Sequence, residues 1–170
     1  MLTRRSVLAA SAATLAAPAL PTGARAATPK NAVVMAKQID DIVSFDPAES
    51  YEFTNNEVDG NCYRRLVRPD PTDATKVAGD LAASYDISAD GLTFTFKLRP
   101  DAKFASGNPV TAHDAALSLH RVVKLNKAPG FIITQFGLTA DNVETMIRAT
   151  DDHTMEMKLP QAQATSFVLY

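Results

Sequence analysis

Ser84-Tyr85-Asp86-Ile87-Ser88 and Leu92-Thr93-Phe94-Thr95-Phe96-Lys97-Leu98 flank the short segment Ala89-Asp90-Gly91. This reads as a β-hairpin, because Asp-Gly between two alternating runs supplies the positive backbone angles of a tight turn. Leu92, Phe94, Phe96 and Leu98 share one face of the second run, and Thr93, Thr95 and Lys97 share the other. One face is buried and the other wet, the pattern of an antiparallel pair.

Helix and strand signals alternate on both sides of the hairpin, so the chain reads as a mixed α/β (α+β) fold. Upstream, Thr54 and Glu57 match a capping box, and Val58, Cys62 and Leu66 fall on one face of a helix over Asn55 to Leu66. Arg68-Pro69-Asp70-Pro71 ends it. Ser44-Phe45-Asp46-Pro47 is an extended-then-turn signal, since the residue before proline is pushed out of the helical region. Ala32-Val33-Val34-Met35-Ala36 reads as a buried strand. Downstream, Pro100 to Pro109 is a loop. Thr111 caps a second helix with Asp114 in its first turn, and Ala115, Leu117, Leu119, Val122 and Val123 give it an apolar surface up to about Leu125. Asn126 to Gly130 ends that helix, and Phe131 to Leu138 is apolar and undecided between helix and strand. A second hairpin is expected from Val143–Ala149 and Thr154–Leu159 across Asp151-Asp152-His153, with Met155, Met157 and Leu159 alternating with Glu156 and Lys158. Pro160 stops it, and Ala162 to Tyr170 begins a further element.

The chain starts with Thr3-Arg4-Arg5-Ser6-Val7-Leu8, an apolar run to Leu20, and Ala24-Arg25-Ala26. A charged head, an apolar middle and small residues before a cleavage point make residues 1–26 a secretory signal peptide, cleaved before Ala27. The paired arginines favour twin-arginine (Tat) export. The apolar run is too short for a membrane span, which needs about 20 residues. The formal net charge of the chain is −2. The leader holds Arg4, Arg5 and Arg25 and no acid, so the remainder of the chain is more acidic still. No basic tract is present to hold nucleic acid or an anionic membrane surface.

Chemistry-bearing patterns are absent. There is no phosphate-cradling Gly-rich loop, no nucleophile elbow and no zinc-type spacing. His113 and His120 are seven positions apart on the second expected helix. That is about 10 Å along its axis, too far to share one metal ion. His153 falls in a turn. Cys62 is the only cysteine, which leaves no disulfide framework, and it reads as a small buried side chain. No catalytic residue, metal site or cofactor is expected, which leans towards binding over catalysis.

The run from Leu81 to Arg99 resembles the signature stretch of family 5 extracellular solute-binding proteins, the oligopeptide- and dipeptide-type binding components of ABC importers. Ala102-Lys103-Phe104 and Gly107-Asn108-Pro109-Val110-Thr111-Ala112-His113-Asp114 continue it, Ser44-Phe45-Asp46-Pro47 fits the family's first loop, and Asp151 to Leu159 fits its second hairpin. The resemblance implies the N-terminal part of a two-lobed periplasmic binding protein. Residues 27–52 are then the first strand and ligand loop of lobe one, 53–160 an inserted small domain with antiparallel hairpins and helices, and 161–170 the start of a return to lobe one, with the rest of the cleft beyond Tyr170. The family's ligand-contacting loop maps onto Ser50, Tyr51, Glu52 and Phe53, and Phe131 is the shifted equivalent of an aromatic that meets peptide in the oligopeptide branch. Phe53 has a structural alternative, as the hydrophobic staple before Thr54. The sequence departs from the family at Arg64-Arg65, where a Glu-Gly pair is usual.

The function implied is capture of a peptide or similar small solute in the periplasm for delivery to a membrane permease, by a monomer that is not an enzyme. Two alternatives stand beside it: an unrelated solute such as a metal chelate, haem, a sugar or an opine-like compound, and a secreted hydrolase with its catalytic residues beyond Tyr170.

Overall fold

The computed structural model describes residues 28–163. The expected signal peptide and residues 164–170, within the expected last element, lie outside the described residues. The chain divides into two compact units, Met1–Lys37 and Gln38–Tyr170. In the first, the described residues 28–37 form no strand. The Ala32 N–H donates to the Pro29 carbonyl at 2.9 Å, and Val33, Val34 and Met35 are 93%, 74% and 65% exposed. The buried strand expected over Ala32–Ala36 is therefore not formed: an apolar run becomes a strand only where a neighbouring strand takes its backbone groups, and among the described residues none does so.

The second unit is built in the order α1 (Phe53–Cys62), β1 (Val67–Pro69), β2 (Val77–Gly79), β3 (Ala82–Ile87), β4 (Thr93–Leu98), α2 (Ala112–Leu125), α3 (Phe131–Thr134), α4 (Val143–Met146), β5 (Ile147–Asp151) and β6 (Thr154–Lys158). Four strands make one antiparallel sheet in the order β3-β4-β6-β5, and β1 pairs with β2 in a separate ribbon. The central pair β4–β6 is regular, whereas β3 slips register between Ala82 and Ser84 and β5 between Ala149 and Asp151. The turn between β3 and β4 is made at Gly91, whose φ is +70°. Asp90 contributes by its carboxylate, which accepts from the Leu92 N–H at 3.0 Å and from the Ser88 hydroxyl, and it does not share the positive φ that the Asp-Gly pair suggested.

Phe94 and Phe96 from β4, Met155 and Met157 from β6 and Ile147 from β5 are buried on the face that α2 covers with Ala112, Ala116 and Val123. Leaving water is worth about 1.5–3 kcal/mol for each large side chain of this set. Thr111 and Asp114 form the expected reciprocal cap of α2. The helix stops at Asn126, which adopts the left-handed conformation at φ 47°, a geometry that asparagine tolerates better than most residues.

Elsewhere the local expectations give way. The helix α1 begins at Phe53 and ends at Cys62, with no side-chain cap from Glu52. Thr54 is buried and its hydroxyl donates to the Gln38 carbonyl at 3.4 Å, so it ties two segments together instead of capping. Val58 and Leu66 are only half-buried, and Cys62 is exposed, not buried. Val143–Met146 is a helical turn, not the start of a strand, and Phe131–Thr134 settles as helix. One turn follows Asn142 and the other the Ala128-Pro129-Gly130 bend, local signals that a window of apolar residues does not reveal.

Candidate functional site

The Asp46-Pro47 turn opens a loop that ends at α1. Asp46 organises it. Its carbonyl accepts from the Glu49 N–H at 2.9 Å, the Ser50 N–H at 3.2 Å and the Ser50 hydroxyl at 3.3 Å. One carboxylate oxygen accepts from the Ala48 N–H at 2.9 Å and from Arg121 Nη1 at 2.7 Å, and the other accepts from Arg121 Nη2. Arg121 lies on α2, so the loop is gripped by a fork of two charge-assisted bonds. The Arg121 guanidinium, aided by the Ala48 N–H, holds the Asp46 carboxyl below its ordinary value.

The four expected loop residues divide. Ser50 is 2% exposed and acts inside the loop, accepting from Asn55 Nδ2 while its own hydroxyl donates to Asp46. Glu52 accepts from the Tyr51 N–H at 3.1 Å. Tyr51 faces outward and meets Phe131 edge to face, ring centroids 5.2 Å apart with planes at 89°. Phe53 is 93% exposed, which rules out the staple, since a staple residue packs on its helix. Two of the five sequence-selected residues, Tyr51 and Phe131, are thus brought together across 80 positions of chain, both about half exposed. An offset or edge-on aromatic pair of this kind offers flat apolar area with little side-chain entropy to lose on contact.

Beneath the loop lies a buried polar chain that sequence reasoning missed. Asn55 is fully buried, and Nδ2 donates to Ser50 Oγ and, at 2.7 Å, to Asp59 Oδ2. Asn55 Oδ1 and Asp59 Oδ1 are buried without a hydrogen-bond partner among the described residues. Burial pushes the Asp59 carboxyl above its ordinary value, the Asn55 bond opposes this, and the charge of Asp46 adds to it. Arg121 was likewise missed. It stands 75 positions from Asp46, and no local periodicity links the two.

Hollows open on this unit, among the described residues, on more than one side. One of about 570 Å³ beside the Asp46-Pro47 turn is lined by Phe45, Tyr63, Arg121 and Val122, and does not include Tyr51 or Phe131. Another of about 390 Å³ is walled by apolar residues including Leu66, Leu119, Ile133 and Phe136. It offers no free carboxylate, and Arg64 at its rim is spent on Asp80, with Nη2 2.9 Å from Oδ1 and 2.8 Å from the carbonyl. Burial disfavours the Asp80 charge, but Arg64 and the Arg65 N–H outweigh it and hold the carboxyl low. The Arg64-Arg65 pair that departs from the family pattern thus has a structural task here. Among the described residues no cluster of three or more His, Cys, Asp or Glu side chains could hold a metal ion.

The chain is 36% identical over 142 residues to the Escherichia coli protein named "Probable D,D-dipeptide-binding periplasmic protein DdpA", a match covering 81% of this chain and 26% of that one. The structure of the Escherichia coli murein tripeptide binding protein MppA superimposes with a TM-score of 0.65 at 26% identity, over 76% of this chain and 27% of MppA. The Haemophilus influenzae OppA complex with the peptide RPPGFSPFR gives a TM-score of 0.63 at 26% identity, over 71% of this chain and 25% of that one. The chain thus spans about a quarter of the length of the curated relatives it matches. Residues 76–170, more than half of the sequence, match the family described as "Bacterial extracellular solute-binding proteins, family 5 Middle", and the chain belongs to the family 5 extracellular solute-binding proteins.

Proposed function

We propose that the protein carrying this chain is the substrate-binding component of an ABC importer that captures a peptide in the periplasm and hands it to a membrane permease. The observation that carries this is the exposed Tyr51–Phe131 pair, held on a braced loop. Flat aromatic area beside an extended backbone suits a peptide, whose main chain offers N–H and C=O groups along its length. Relatives named for binding dipeptides, oligopeptides and a murein tripeptide support the same class of solute.

Of the five expected site residues, we assign Tyr51, Glu52, Phe53 and Phe131 as its contacts and Ser50 as their support. Tyr51, Phe53 and Phe131 supply surface, Glu52 supplies charge, and Ser50 shapes the loop from within. Residues 27–52 belong to the ligand-binding lobe in this reading, 53–160 to an inserted small domain, and 161–170 to the return. The mechanism is closure around the solute, not catalysis. Residues 1–26 act as a cleaved export signal of twin-arginine type, and the exported protein works as a monomer. The test is to purify the full-length protein from periplasm, identify its co-purified solute by mass spectrometry, and titrate it with a panel of di- and tripeptides. Micromolar binding of peptides supports the assignment. A non-peptide solute with no peptide binding, or turnover of a peptide, removes it.

A further inference from the structure

We propose that Arg121 is the positioning residue that sets Tyr51 against Phe131, acting through Asp46. The inference rests on the assignment of that aromatic pair to the solute, but its geometry stands apart from it.

One helix holds both rings. On one side Arg121, in the third turn of α2, takes both carboxylate oxygens of Asp46. Asp46 in turn fixes Ser50 through the main-chain and hydroxyl bonds to its carbonyl, and Tyr51 is the next residue. On the other side α2 ends at Asn126, whose N–H donates to the Val122 carbonyl at 3.2 Å. The Gly130 N–H then bonds the Lys127 carbonyl at 2.8 Å, with Pro129 and Gly130 buried. Phe131 comes directly after. The span from Arg121 to Phe131 is thus a helix and a tight, hydrogen-bonded bend whose last two residues are buried, with little freedom of its own. The softer path is the loop from Asp46 to Tyr51, and the fork is its attachment to the helix. A planar guanidinium fixes direction as well as distance, which a lysine ammonium does not.

Both partners are substantially exposed, with side chains 47% and 31% accessible. Exposed pairs of this kind add little to global stability. Loss of Arg121 should therefore displace the loop without unfolding the sheet. Among the other charged groups near the pair, Glu49 also faces Arg121 and Asp59 faces Asp46, but neither replaces the fork.

The experiment places 3-fluorotyrosine at position 51 alone in the full-length protein and reads its ¹⁹F resonance. Phe131→Ala calibrates the shift caused by losing the neighbouring ring. Arg121→Ala should move the resonance by at least half of that amount, with a thermal midpoint within a few degrees of wild type. Arg121→Lys should recover less than half of the displacement. Wild-type protein in 1 M salt, where screening acts within about 3 Å, should shift in the same direction, which keeps the test available if a variant does not fold. An unmoved resonance in Arg121→Ala and in salt, alongside a clear shift in Phe131→Ala, overturns the proposal. So does an unmoved resonance in Phe131→Ala, because the contact is then absent. Failure of the full-length protein to bind peptides would remove the solute assignment while leaving this result standing.

Discussion

Phe94 on β4 stands directly opposite Met157 on β6 and Ile87 on β3, and its side chain is fully buried. It lies within the sheet's buried cluster. Phe94→Ala should cost about 3–5 kcal/mol, a large share of the roughly 5–15 kcal/mol that holds a domain together. Urea unfolding followed by circular dichroism would measure it, and a loss below about 1 kcal/mol would show that the residue is not at the centre of packing.

The cap of α2 gives a smaller and cleaner effect. Thr111 Oγ1 accepts from the Asp114 N–H at 3.3 Å, and Asp114 Oδ2 accepts from the Thr111 N–H at 2.8 Å. Thr111→Ala should destabilise by about 1 kcal/mol. The Thr111 hydroxyl and then its N–H hold the Asp114 carboxyl below its ordinary value. A depressed folded value means that this contribution is complete above the ordinary aspartate range and is lost as pH falls through the folded value. The gap between wild type and Asp114→Asn should therefore narrow in acid.

Asp59 carries the opposite sign. Its carboxyl is raised by burial, so the folded state takes up the proton more readily than the unfolded chain. Stability should be complete below the ordinary aspartate value and decline as pH rises through the folded value of Asp59. Asp59→Asn removes the charge and supplies an N–H able to meet the unpartnered Asn55 Oδ1. It should leave the protein at least as stable as wild type at neutral pH, with a gain of up to about 1 kcal/mol, the low end of what an unsatisfied buried acceptor costs. Chemical denaturation from acid to neutral pH would check it, and a strongly destabilised variant would refute the reading that the buried Asp59 carboxylate is held at a cost.

Tyr51→Ala in the full-length protein should weaken binding of the identified solute roughly two- to twelvefold, the worth of one aromatic contact of about 0.5–1.5 kcal/mol. Thermal unfolding should be little changed, because the ring is nearly half exposed. Calorimetry settles it: equal affinity in the variant takes Tyr51 out of the site.

The first 26 residues should be missing from exported protein. N-terminal sequencing of periplasmic material is expected to begin at or near Ala27, and replacement of Arg4 and Arg5 by lysine should block export, whereas undiminished export would remove the twin-arginine route.

Legibility in the sequence tracks the range of the forces. Leu92 to Leu98 and Met155 to Leu159 are readable because alternation is a short-range pattern and both faces declare themselves within a few residues. Thr111 and Asp114 are readable because a cap is local by construction. Thr54 misleads for the same reason: its spacing to Glu57 satisfies a local rule, but the bond to the Gln38 carbonyl comes from a segment the rule does not see. Cys62 keeps the apolar period of a helix, but among the described residues it is exposed. In the candidate site, the aromatic residues can be selected by resemblance. The ion pair that holds the loop, Arg121 with Asp46, joins positions whose separation carries no periodic signature.

Both slips of register in the four-stranded sheet lie on its outer strands, at Ala82/Ser84 on β3 and at Ala149/Asp151 on β5, while the inner ladder is unbroken. An outer strand with an even row of free N–H and C=O groups invites another chain to add to it, and a local bulge spoils that template by bending and twisting the row. Among the described residues both edges of the sheet are blunted in this way, which works against edge-to-edge pairing with another copy.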